Sequence, residues 1–204
     1  MAARTSKAAG DAGNKVRFGL SNVHVAFHDG TGGFETPVRI PGAVNLSTTP
    51  EGDQSVFYAD NSPYYVFNAN NGYSVELEMA LVPDEVVARM QGWRIDANGG
   101  LVETANAEPT PFALLFEVSG DKRSRRTVFY SVTAERPEES NSTVQESKEA
   151  TTQTISATVV AMDVSGEPTV KYTLELSDSN KAVFDAFYDA VTLPDASAPS
   201  APTE

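Results

Sequence analysis

The sequence has no cysteine, and it holds only two histidines and one tryptophan among its 204 residues. Without cysteine the chain forms no disulfide, offers no thiolate to a metal and has no thiol nucleophile. It also lacks an apolar run of the roughly 20 residues that a membrane-spanning helix needs, and its N-terminus has no apolar stretch of the signal-peptide kind. We therefore expect a protein that is made in a reducing cytoplasm and has no membrane partner.

Positive charge is scarce as well, since 15 lysines and arginines stand against 28 acids and give a net charge of −13. A surface of this sign repels nucleic acid and anionic membranes, because affinity for DNA comes from basic residues that displace phosphate counterions. Residues 50–110 contain ten acids and only two arginines. Four cations stand close together further along the chain. A DNA-binding role for them is less favoured than contact with an acidic neighbour, so we predict an electrostatic contact between molecules at Lys122, Arg123, Arg125 and Arg126.

Residue patterns that carry enzyme chemistry are also missing. His24 and His28 lie on a predicted strand, where four residues span roughly 13 Å, too far for one metal ion. The segment Gly30–Gly33 lacks the lysine of a phosphate-binding loop. Glu76 and Glu78 share a strand face, as glycosidase carboxylates do, but a solvated face explains them equally well. We therefore predict a protein that is not an enzyme, with no catalytic residue, no metal and no cofactor.

Alternation of apolar and polar residues predicts mostly β-strands. The clearest strand is Tyr73–Leu81, and short helices are predicted after Pro83 and over Asn180–Ala190, the latter capped by Asp178 or Ser179. The pattern predicts a mainly β (α+β) domain, an antiparallel β-sandwich or half-barrel with a short flanking helix and a C-terminal helix. The predicted organisation is a flexible N-terminal arm over 1–15, a single domain over 16–194 with an acidic mobile loop at 136–152, and a disordered tail at 195–204.

Between two predicted strands lie 23 residues, 50–72, that a compact domain would normally replace with a shorter turn. Pro50, Gly52 and the run of asparagines before Gly72 are typical of a loop. A solvated loop has no physical reason to expose many rings to water. Either the segment folds back on its own domain, where its rings cap the core, or another protein covers it. The rings in question are Phe57, Tyr58, Tyr64, Tyr65 and Phe67.

Several segments, in order along residues 15–194, resemble the major tail proteins, or tail tube proteins, of long non-contractile-tailed bacteriophages of Gram-positive hosts. The C-terminal part matches by pattern alone, and both the N-terminal arm and the loop 136–152 depart from the family. The matching segments are Val16–His24, Thr36–Leu46, Phe57–Val66, Gly72–Tyr73, Leu77–Asp84, Pro111–Phe116, Gly120–Lys122 and Val128–Tyr130.

The resemblance implies a structural virion protein that forms hexameric rings, which stack into the hollow tail tube, with a fold like that of type VI secretion tube proteins. DNA would pass through the lumen into the host without specific binding. The implied partners are further copies of the chain, the tape-measure protein, and the tail terminator and distal tail proteins. The implied location is the virion tail, after synthesis in the host cytoplasm.

On this interpretation we expect residues 50–72 to form the loop that stacks one ring on the next, and Glu76 and Glu78 to face the lumen. A heterologous contact that does not close produces a filament, and exposed aromatic residues suit such a contact. An alternative is a carbohydrate-binding or adhesin-like β-sandwich, in which the tyrosines would stack on sugar rings.

Overall fold

The computed structural model describes residues 19–52, 54–59, 61–119, 124–138 and 152–194. The predicted N-terminal arm, the C-terminal tail and most of the loop 136–152 lie outside these ranges, so those predictions stand as they were made. Within the described residues the fold is mainly antiparallel β-sheet with two short helices, as the alternation predicts. The strands of the first half are β1 Leu20–Phe27, β2 Val38–Arg39, β3 Ala43–Glu51, β4 Gln54–Ala59, β5 Ser62–Asn68 and β6 Gly72–Met79.

The second half begins with a helix and ends with one. Helix α1 spans Asp84–Gln91, and Gly92 ends it in the left-handed conformation that glycine adopts without strain. Helix α2 covers only Lys181–Asp185, with Asn180 at its N-cap, and a 3-10 turn at Ala186–Tyr188 continues it; the predicted single helix with a cap at Asp178 or Ser179 is therefore wrong in detail. The strands are β7 Arg94–Ile95, β8 Leu101–Val102, β9 Phe112–Val118, β10 Arg125–Ala134, β11 Gln153–Val160, β12 Met162–Val164, β13 Glu167–Thr169 and β14 Lys171–Glu175.

The main sheet closes on itself. Its strands follow the order β2-β1-β9-β10-β11-β6-β3, and the first and last of these strands are consecutive in the chain. Only Ile40–Gly42 separates β2 from β3, and the Ile40 amide donates to the Val23 carbonyl (2.9 Å), which extends the pairing with β1. The half-barrel of the sequence prediction is thus a barrel, in which β2 and β3 form one strand that bends at Pro41-Gly42.

Alternating side chains fill the barrel and also cover part of its outside. Val23, Val25 and Phe27 of β1 point inward together with Val75, Leu77 and Met79 of β6. Strand β9 is buried on both faces: Leu114 lies inside, whereas Leu115 joins an outer cluster that α2 and its 3-10 turn cover with Phe184 and Phe187. Each buried large apolar side chain contributes about 1.5–3 kcal/mol. Helix α1 closes one end of the barrel with Val86 and Met90.

Candidate assembly interface

Residues 50–72 are not the irregular loop that their asparagines, prolines and glycines predict. They contain the β4–β5 hairpin, in which Gln54 pairs with Asn68 and Ala59 pairs with Ser62. The two residues between Ala59 and Ser62 are Asp60 and Asn61, and Asn61 has a positive φ of 60°, which asparagine tolerates in a tight hairpin turn. An Asp-Asn pair between two runs of β-branched and aromatic residues was the sequence signal for this hairpin.

The hairpin exposes two tyrosines. Tyr64 is 74% exposed and Tyr65 is 58% exposed, and both lie at the bulge where the pairing register of β4 and β5 shifts. These two rings therefore do not cap the core of their own domain. The backbone of Phe57 pairs with that of Tyr65. Phe57, Tyr58 and Phe67 lie in the hairpin strands, but their side chains are outside what the structure describes.

Two glycines join the hairpin to the barrel. The ladder between β3 and β6 runs up to Glu51 and Gly72, and the Asn71 amide donates to the Glu51 carbonyl (2.9 Å). Gly72 has φ +105°, and a β-carbon there would collide with the Val159 carbonyl of β11. A β-carbon at Gly52 would collide with the Ala69 carbonyl. Close backbone approach is what fixes glycine at both positions, so the hairpin leaves the barrel in a set direction.

Glu76 and Glu78 lie on the face of β6 that points away from the barrel core. Glu76 is exposed, and Glu78 is partly buried and accepts a hydrogen bond from the Thr152 hydroxyl (2.6 Å). Register places the polar residues of β3 and β11 beside them, so the three strands share one polar outer face without a positive charge. Its members are Asn45, Ser47, Thr49, Ser74, Glu76, Glu78, Thr154, Ser156 and Thr158.

The predicted basic cluster separates into residues with different surroundings. Lys122 and Arg123 lie outside the described residues. Arg126 is largely buried inside its own chain: its Nε donates to Glu117 Oε2 (3.0 Å), and its guanidinium lies 4.0 Å from the centroid of the Phe184 ring. It also donates to the Phe184 carbonyl. The acidic partner of Arg126 is thus intramolecular, because the C-terminal helix folds over β10. Arg125, its neighbour on the strand, points to the opposite face.

Arg126 belongs to a polar cluster that fixes the C-terminal helix. Glu117 also accepts from Asn22 Nδ2 (2.6 Å) and from the Tyr188 hydroxyl (3.4 Å). The His24 ring stacks on Tyr188 with centroids 4.4 Å apart. Burial raises the pKa of Tyr188 and lowers the pKa of His24. These residues come from β1, β9, β10 and the 3-10 turn after α2, and their sequence separation left no local signal from which they could be predicted.

Neither histidine is placed for metal chemistry. The Nδ1 atom of His24 lies 2.8 Å from the Asn22 carbonyl, and Nε2 of His28 lies 3.1 Å from the Tyr130 carbonyl. Among the described residues, no group of three His, Cys, Asp or Glu side chains is placed to hold a metal ion. In the same part of the chain, no helix is both long and apolar enough to cross a membrane.

Comparison with known proteins gave no match to any protein-family model and none to a curated protein. Three solved structures are similar to this chain over most of its length. A chain of the anti-feeding prophage baseplate matches with a TM-score of 0.46 and 12% identity, covering 80% of this chain and 97% of that one. A chain of the tube-terminating cap of the anti-feeding prophage matches with a TM-score of 0.49 and 10% identity, covering 84% of this chain and 100% of that one. A chain of the sheath–tube complex of the PVC extracellular contractile injection system matches with a TM-score of 0.46 and 10% identity, covering 79% of this chain and 94% of that one. TM-scores below 0.5 at such low identity leave the function to be argued from the chain itself.

Proposed function

We propose that this protein is a structural, non-enzymatic subunit of a phage tail or phage-like tail, and that it forms hexameric rings which stack into a hollow tube for the passage of DNA. The observation that carries the proposal is the β4–β5 hairpin, which leaves Tyr64 and Tyr65 exposed. Tyrosine buries a large area at a low entropic cost, so it is favoured where proteins meet. A second copy of the chain is the partner proposed for it.

The finer assignment, to the tail tube of a non-contractile phage of Gram-positive hosts, depends on the sequence resemblance alone. The solved structures with related folds come from the anti-feeding prophage and from a contractile injection system. Tape-measure, tail terminator and distal tail proteins remain proposed partners on the same basis, and the virion tail remains the proposed location.

The polar outer face of β3, β6 and β11 is the proposed lining of the lumen, with Glu76 and Glu78 directed toward the DNA. A face of hydroxyls, one amide and two carboxylates offers no cation to a phosphate, so DNA would slide past it without adhering. Replacement of Glu76 and Glu78 by lysine would make this surface bind DNA. Retention of duplex DNA by assembled protein, measured by co-sedimentation at low salt, tests this lining.

A carbohydrate-binding module is the alternative function for the two exposed tyrosines. Such a module would stay a dispersed monomer in solution, whereas a tail subunit forms rings or tubes.

Sedimentation velocity and negative-stain electron microscopy of the purified protein test the proposal. We expect rings or tubes for the natural chain, and dispersed, folded subunits for the variant Tyr64→Ser/Tyr65→Ser. The two side chains are exposed, so the variant should keep its circular dichroism spectrum and its midpoint of urea unfolding. Leu176→Ser, a change of another exposed apolar residue, is the matched control. Tubes of normal length from the tyrosine variant would contradict the proposed role of the hairpin.

A further inference from the structure

The two ends of the barrel differ in shape. Strands β1 and β6 run in one direction, and β3, β9 and β11 run in the other, because the barrel pairs are antiparallel. At one end, which we call the hairpin end, β6 begins at Gly72 and the β4–β5 hairpin departs. At the other, the helix end, β6 finishes at Met79 and α1 closes the barrel. Eight residues of β6 separate these ends by about 25 Å.

The helix end is acidic. The described parts of the three connections that leave the barrel there, residues 28–37, 80–111, 135–138 and 152, contain nine acids and three basic residues. Two copies that met by their helix ends would bring like charges together, which favours copies that meet head to tail.

Apolar side chains are exposed at the helix end. Leu81, which follows β6 directly, is 65% exposed. Ile95 and Leu101 pair with each other across the β7–β8 hairpin, next to α1, and both are exposed. Arg94 adjoins them and is exposed as well. Apolar groups beside a guanidinium form a surface on which a tyrosine ring can pack, since the ring face attracts a cation and its body excludes water.

We infer that Leu81, Ile95 and Leu101 form the receiving surface for Tyr64 and Tyr65 of a second copy. This inference rests on the proposed function, because it names the partner surface of the same hairpin. The hairpin strands are six and seven residues long, which makes the hairpin about 20 Å in length. Residues 50–72 hold three acids and no lysine or arginine, a charge that suits Arg94. The contact joins different surfaces at opposite ends, so it repeats without closing and builds a filament.

The absence of cysteine makes a direct test possible, because a disulfide in a variant can form only between cysteines that were introduced. A chain that carries Tyr64→Cys and Leu101→Cys should give a ladder of disulfide-linked multimers when assembled protein is oxidised and run on a non-reducing gel. The matched control carries Tyr64→Cys and Val183→Cys. Val183 is also exposed, but it lies on α2, over the outer wall of the barrel, so we expect no ladder from it.

The outcomes separate this inference from the proposed function. Assembly with no ladder from the Tyr64→Cys/Leu101→Cys chain, or with equal ladders from both chains, overturns the receiving surface and leaves self-association standing. Failure of the natural chain to assemble overturns the proposed function and this inference with it. If the double variant itself does not assemble, the single variants Tyr64→Cys and Leu101→Cys are mixed, one of them with a size tag. A disulfide between the two different variants supports the inference, and one between identical variants overturns it.

Discussion

At the scale of single residues, Arg126 holds the C-terminal helix to the barrel. One guanidinium contacts Glu117 on β9 and the Phe184 ring on α2, and it also lies 4.7 Å from the centroid of the Tyr188 ring. Its neighbours explain why a cation that the sequence groups with Lys122 and Arg123 packs under the C-terminal helix, on the outer wall of the barrel.

Replacement of Arg126 by alanine should lower the free energy of unfolding by about 2 kcal/mol, since it leaves Glu117 partly buried without its charge partner and removes the cation from two rings. Urea unfolding followed by circular dichroism measures the change. Lys181→Ala is the control: its ion pair with Asp185 is exposed on α2, so the loss should stay within about 0.5 kcal/mol. Equal effects of the two changes would contradict the role of Arg126.

His24 should make stability depend on pH. Burial lowers its pKa below the ordinary value of 6.5, with Arg39 and Arg126 acting in the same direction, whereas the Asn22 carbonyl and Glu117 oppose them. The unfolded chain therefore binds this proton more readily than the folded one. The stabilising contribution is complete above pH 6.5 and is lost as the pH falls through the folded pKa.

The matched variant is His24→Phe, which keeps a ring against Tyr188 and cannot titrate. Urea midpoints measured between pH 7.5 and 5 should fall for the natural chain and fall less for this variant. Parallel curves for the two proteins would show that His24 does not contribute.

At the scale of elements, the sequence predicted the strands better than the connections. The alternation in Tyr73–Leu81 gave β6 to within two residues at its end, because one face of that strand is buried and the other is polar. The β4–β5 hairpin was missed because the prolines, asparagines and glycines of residues 50–72 are typical of loops, although the Asp60-Asn61 pair was a readable turn signal. The Glu117 cluster could not be predicted, since it joins residues as far apart as His24 and Tyr188, 164 positions along the chain. Closure of the sheet depends on strand pairing on both sides of the bend at Pro41-Gly42, which is equally long-range.

The junction of hairpin and barrel should be sensitive to a single methyl group. Gly72→Ala combines a positive φ with a collision against the Val159 carbonyl, so it should cost clearly more than the roughly 1 kcal/mol of backbone strain alone. Gly30→Ala is the control, because Gly30 has φ +76° with open space around its α-carbon. Thermal unfolding compares the two variants, and an equal loss of stability in both would contradict close packing at the junction.

At the scale of the whole molecule, the chain has two unlike ends, with the β4–β5 hairpin at one and acidic connections with exposed apolar residues at the other. The candidate interface was found from sequence in part: the aromatic residues of 50–72 indicated a contact surface, whereas Leu81, Ile95 and Leu101 did not stand out until strand directions placed them at the helix end. We propose a subunit built to stack head to tail.

Cryo-electron microscopy of the assembled protein tests this account most directly. The account predicts a helical tube in which the β4–β5 hairpin of each copy contacts the helix end of a copy in the next ring, with Glu76 and Glu78 lining the lumen. A map in which the hairpin packs on its own barrel, or in which copies meet by identical ends, would contradict it.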